Sequence, residues 1–83
     1  MDRQEVLTAL KEIAAEVLSV EPGVVTEEAR FKEDLDADSL DLVELVMGLE
    51  EKFEIVVPEE DLEGVDTVGK AITLVVEKVA ARA

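Results

Sequence analysis

Glu33-Asp34-Leu35-Asp36-Ala37-Asp38-Ser39-Leu40-Asp41, continued from Leu42 to Phe53 as LVELVMGLEEKF, is the stretch on which the fold turns. Before Asp38 the apolar residues keep no helical period. From Asp38, a good N-cap residue, the spacing predicts a helix to about Phe53, and Pro58 forbids continuation a few residues later. At roughly 100° per residue, Leu42, Leu45, Val46, Leu49 and Phe53 fall on one side, as a core-facing stripe should. Leu40, Val43 and Met47 fall on the opposite side among Asp41, Glu44, Glu50 and Glu51, where a surface helix is normally polar.

Working outward, Val6, Leu7, Leu10, Ile13, Ala14, Val17 and Leu18 recur at three- and four-residue intervals, with Asp2 placed to cap and Glu5 three residues on. This predicts a first amphipathic helix from Asp2 to Leu18. Pro22-Gly23 then breaks the pattern, and Val24, Val25, Phe31 and Leu35 suggest that the long loop before Asp38 is pinned to the core. Pro58 followed by Glu59, Glu60 and Asp61 predicts a short third helix that Gly64 limits to about one turn. Thr67 can cap a last helix with Val68, Ala71, Ile72, Val75 and Val79 in one stripe, Lys78 and Arg82 suiting its C-terminal end. Ile55-Val56-Val57 is β-prone, but an isolated strand would have nothing to pair with. The fold class expected is all-α: a small four-helix bundle of three longer helices plus one short helix, a long loop between the first two, and one domain across residues 1–83.

The composition narrows the function. The 83 residues, 48% of them apolar, suffice for one modest core. Without Cys or His there is no disulfide, no thiolate metal site and no imidazole base, so no catalytic residue and no metal site is expected. No apolar run is long enough for a membrane span, and the start lacks signal-peptide character, so a protein of the cytoplasm is expected. The net charge of −14 would repel nucleic acid and anionic membranes and favour basic partners. Residues 33–63 hold 13 acids and one base, Lys52, so the acidity is regional. An apolar stripe ringed by carboxylates suits a docking face, charge governing encounter and the stripe residence.

Asp34, Asp36 and Asp38 have the spacing of the first ligands of a calcium loop, but Ser39 stands where that loop needs Gly and Leu45 where it needs Glu. Ser39 is equally unfit as a self-activated nucleophile, since no His can deprotonate it and the adjacent acids oppose an alkoxide. At the first position of a helix its hydroxyl should instead be exposed, and a phosphate attached there would meet free N–H groups and the positive end of the helix dipole.

The run from Glu33 to Asp41, with Asp38-Ser39-Leu40 at its centre, then Val43-Glu44-Leu45 and Glu50-Glu51-Lys52-Phe53, resembles the acyl carrier proteins. The similarity extends to Phe31, to Ile55-Val56-Val57-Pro58 and to Thr67-Val68-Gly69. It implies that a phosphopantetheinyl transferase, with Mg²⁺, moves 4′-phosphopantetheine from coenzyme A onto Ser39, and that the arm's thiol holds acyl chains as thioesters. It also implies docking through Asp38, Leu40, Asp41, Val43, Glu44, Met47, Glu50 and Glu51 onto basic-surfaced acyl-processing enzymes, by a monomer. In one place the chain departs from the family pattern: Asp36 stands where many members have Gly, which argues against a positive φ there. The pathway expected is fatty acid biosynthesis, with a polyketide pathway as the alternative. A non-carrier acidic adaptor, in which Asp38 and Ser39 merely start a helix, is the reading from another class.

Overall fold

The computed structural model describes residues 2–82, with the side chain of Arg82 outside the description. Three α-helices, α1 (Arg3–Leu18), α2 (Ser39–Phe53) and α3 (Val68–Arg82), are joined by a long loop and a shorter link. Single 3₁₀ turns occur at Pro22–Val24 in the loop and at Glu59–Leu62 in the link, the latter standing where the short third helix was expected.

Each helix starts where the sequence places a cap. The Asp2 carboxylate accepts the Glu5 N–H at 2.9 Å, and the Thr67 hydroxyl accepts the Lys70 N–H at 3.3 Å. Asp38 and Asp41 form a reciprocal capping box, each carboxylate accepting the other's backbone N–H, at 2.9 and 3.2 Å. α1 and α2 end in left-handed residues, Ser19 at φ 57° and Glu54 at φ 54°. Ile55-Val56-Val57 forms no strand. The one β-type pairing among the described residues is an isolated bridge between Arg30 and Thr67.

That bridge explains how so long a loop is held. Phe31 N–H donates to the Asp66 carbonyl at 3.0 Å, Val68 N–H to Ala29 at 2.9 Å and Gly69 N–H to Glu27 at 2.9 Å, so loop backbone lies along the start of α3. Gly69 permits this approach, since a Cβ there would sit 3.0 Å from the Glu27 carbonyl oxygen. Val25, Ala29, Phe31, Leu35 and Ala37 are buried, as a pinned loop requires. Val24 is not: contrary to expectation it is 48% exposed, because the 3₁₀ turn points only the next residue, Val25, inward.

The core is wholly apolar among the described residues, and Leu10, Leu45, Leu49 and Ile72 are its largest fully buried side chains. α1 packs on both α2 and α3. Gly48 lets α2 come close to α1, since a Cβ there would lie 3.1 Å from Ile13. At the periphery the Arg3 guanidinium links three segments, reaching Glu27 at 2.6 Å, the Thr73 hydroxyl at 2.7 Å and the Gly69 carbonyl at 3.1 Å. Lys78 pairs with Asp61 at 2.7 Å, tying α3 to the second 3₁₀ turn rather than serving the helix end.

Candidate functional site

Ser39 is the first residue of α2 and is exposed. Because Asp38 accepts the Asp41 N–H, capping does not call on the serine, and its hydroxyl has no hydrogen-bond partner among the described residues. The N–H groups of Ser39 and Leu40 lie in the first turn, where no preceding carbonyl can accept them. A nucleophilic oxygen, two open donors and the positive helix end therefore converge on one point of the surface.

The loop before α2 is shaped to present that point. Ala37 N–H donates to the Phe31 carbonyl at 2.7 Å, closing residues 31–37 into a compact turn that ends at the cap. Within it the Asp34 carboxylate accepts the Arg30 N–H at 2.8 Å and Arg30 Nε at 3.3 Å, while Arg30 also pairs with Glu33. The backbone hydrogen bond from Arg30, then its side chain, hold the Asp34 carboxyl below the ordinary carboxylate range, and the hydrogen bond to Asp34 holds the Arg30 guanidinium above its ordinary value. Asp36 has φ 54°, so the left-handed backbone argued against from the sequence is present. Asp is among the few non-glycine residues whose short polar side chain tolerates that region, so Asp36 can adopt it without being Gly.

Two grooves flank Ser39. One, of about 460 Å³, is lined by Phe31, Leu42 and Val65 with Arg30 and Lys32 at its edge. The other, of about 470 Å³, lies between α2 and the second 3₁₀ turn and is lined by Val43, Leu62, Glu59, Glu60 and Glu63. An exposed hydroxyl at the meeting of two grooves suits an attached flexible arm, and so fits a phosphate-linked prosthetic group.

The residues expected on the docking face separate into three groups. Leu40 and Met47 are 67% and 55% exposed and free to meet a partner, with Glu44 and Glu51 exposed beside them. Val43 is half-buried in the second groove. Asp38, Asp41 and Glu50 already serve the fold: the first two make the capping box, and the half-buried Glu50 carboxylate accepts the Val57 N–H at 3.0 Å. Val56, 77% exposed, is an apolar surface residue outside the expected set. All three of Ile55, Val56 and Val57 are apolar in sequence, so nothing there marks Val56 out; the buried-exposed-buried alternation appears only in the structure.

No group of His, Cys, Asp or Glu among the described residues is arranged to hold a metal ion. No helix of the described chain is long and apolar enough to cross a membrane.

Comparison with known proteins agrees with this geometry. The family described as "Phosphopantetheine attachment site" matches residues 8–75. An acyl carrier protein of Rubrobacter xylanophilus is 53% identical over 77 residues, covering 93% of this chain and 95% of that protein. The crystal structure of an acyl carrier protein from Thermotoga maritima superposes with a TM-score of 0.89 at 31% identity, covering 100% of this chain and 96% of that one. The structure of an acyl carrier protein from Enterococcus faecalis gives 0.74 at 36% identity, covering 94% and 99%. The chain thus belongs to the acyl carrier protein family, as a carrier rather than an enzyme, with 4′-phosphopantetheine as its prosthetic group.

Proposed function

We propose that Ser39 Oγ is the attachment point of 4′-phosphopantetheine and that the chain presents acyl thioesters to the enzymes of fatty acid biosynthesis. The observation that carries the assignment is the division of labour at the start of α2: Asp38 makes the cap, and the adjacent Ser39 hydroxyl is exposed and structurally uncommitted. The arm supplies the thiol that this cysteine-free chain lacks.

With no His in the sequence, deprotonation of Ser39 during loading falls to the phosphopantetheinyl transferase. Leu40 and Met47, bordered by Glu44 and Glu51, form the part of α2 open to basic-surfaced partner enzymes, with Asp38, Asp41, Val43 and Glu50 shaping its edges. The carrier acts as a monomer in the cytoplasm, each partner enzyme visiting the same face in turn.

Incubation with coenzyme A, Mg²⁺ and a carrier-modifying transferase, followed by intact-mass measurement, tests the attachment. The chain should gain one phosphopantetheine mass and Ser39→Ala should gain none. An unmodified wild type would return the reading to an acidic adaptor.

A further inference from the structure

We infer that Lys32 is the counterion of the phosphodiester on Ser39 and turns the root of the arm toward the loop-side groove; this rests on Ser39 being the attachment residue. A phosphodiester placed at Ser39 adds a negative charge next to Asp36, Asp38 and Asp41, in the most acidic part of the chain. The two grooves that meet at Ser39 receive it very differently. The groove against the second 3₁₀ turn is lined by Glu59, Glu60 and Glu63 and by no Lys or Arg among the described residues. The loop-side groove contains Arg30 and Lys32.

Of these two cations only Lys32 is free. Arg30 is held by Glu33 and Asp34, whereas Lys32 is exposed and has no hydrogen bond or ion pair among the described residues. The acids of the same groove have partners of their own: Glu33 pairs with Arg30, Asp66 with Lys70 at 2.9 Å, and Asp38 accepts the Asp41 N–H. The hydrogen bond from Ala37 N–H to the Phe31 carbonyl folds the loop back, so that Lys32 follows Phe31 at the point where the chain enters the Asp38-Ser39 cap. An ammonium on a flexible stem suits a single phosphate as a point charge and needs no fixed fork geometry. Lys32 is therefore a positioning residue: it selects, by sign of charge, which groove the arm enters.

The test uses the loaded protein and phosphorus NMR. Wild type, Lys32→Gln, Lys32→Arg and, as a cation outside the groove, Lys11→Gln are each loaded and checked by intact mass. At low salt the phosphodiester resonance of Lys32→Gln should be displaced from that of wild type, with Lys32→Arg and Lys11→Gln close to wild type. Added salt should move the wild-type resonance toward that of Lys32→Gln and leave the latter nearly still. Contacts between the Lys32 side-chain methylenes and the arm should be seen in proton NMR of wild type. If the wild type fails to gain mass, the attachment reading falls and this one with it. If all four proteins load but their resonances and salt responses coincide, the attachment stands and the role of Lys32 is refuted.

Discussion

Truncating one residue on each face of α2 separates its packing from its proposed docking role. Leu49 is 1% exposed among core side chains, whereas Met47, two residues earlier, is 55% exposed. Leu49→Ala removes three carbons that cost about 0.8 kcal/mol each to transfer to water, roughly 2.4 kcal/mol together. The cavity left between α1 and α2 adds to this, and the total falls in the range of about 2–5 kcal/mol. A domain of this length has only about 4–12 kcal/mol of stability, so the loss is a large fraction of the whole. At about 4–8 °C per kcal/mol, the melting temperature should fall by at least roughly 10 °C. Met47→Ala removes a side chain that is mostly in water and substitutes the best helix former, so its cost should stay within about 0.5 kcal/mol. Thermal and urea unfolding followed by far-ultraviolet circular dichroism would read both, and binding to a basic partner enzyme should weaken for Met47→Ala without a change in melting. Equal unfolding midpoints for the two variants would refute the assignment of faces.

Three further outcomes are expected. Glu50→Ala should lower stability by about 1 kcal/mol, since it leaves the Val57 N–H without its side-chain acceptor; an unchanged urea midpoint would show that water replaces the carboxylate at no cost. Asp34 has its carboxyl held below the ordinary 3.8, so its contribution is present above that value and is lost as pH falls through the lower folded one. The melting-temperature difference between wild type and Asp34→Asn should accordingly shrink below about pH 3.8, and a constant difference down to about pH 2 would contradict the assignment. With a net charge of −14, the melting temperature should rise with ionic strength and with Mg²⁺ at neutral pH, and indifference to both would show that self-repulsion is unimportant.

The proposed loading and docking positions are adjacent on α2. Ser39 and Leu40 share its first turn, while Met47 and Glu51 continue the exposed side toward the other end. On the proposed function, a partner seated on that side would have the arm's root at one edge of the contact. Arg3, bridging α1, the loop and α3, and Lys78, bridging α3 and the second 3₁₀ turn, tie the helices to their connections from outside the core. Both are surface contacts and individually contribute little stability.

What the sequence determined by itself was whatever depends on neighbours three or four residues away. The caps at Asp2, Asp38 and Thr67, the end of α2 at Phe53, the core stripe and the exposed start at Ser39 were all legible, because caps and helical period are local. The tertiary structure decided what depends on chain returning from a distance. Asp36 adopts positive φ because the turn from Phe31 to Ala37 must close, and Val24 is exposed because the 3₁₀ turn at Pro22–Val24 points only Val25 inward. Glu50 looked like one more docking carboxylate until the chain reversal at Glu54 brought the Val57 N–H to it. The same return of the loop puts Lys32 and Ser39 on one groove; their seven-residue spacing would share a face on a helix, but the chain between them is a loop, so only its path brings them together. Local periodicity sets which residues face inward; only the path of the loops sets which charges meet.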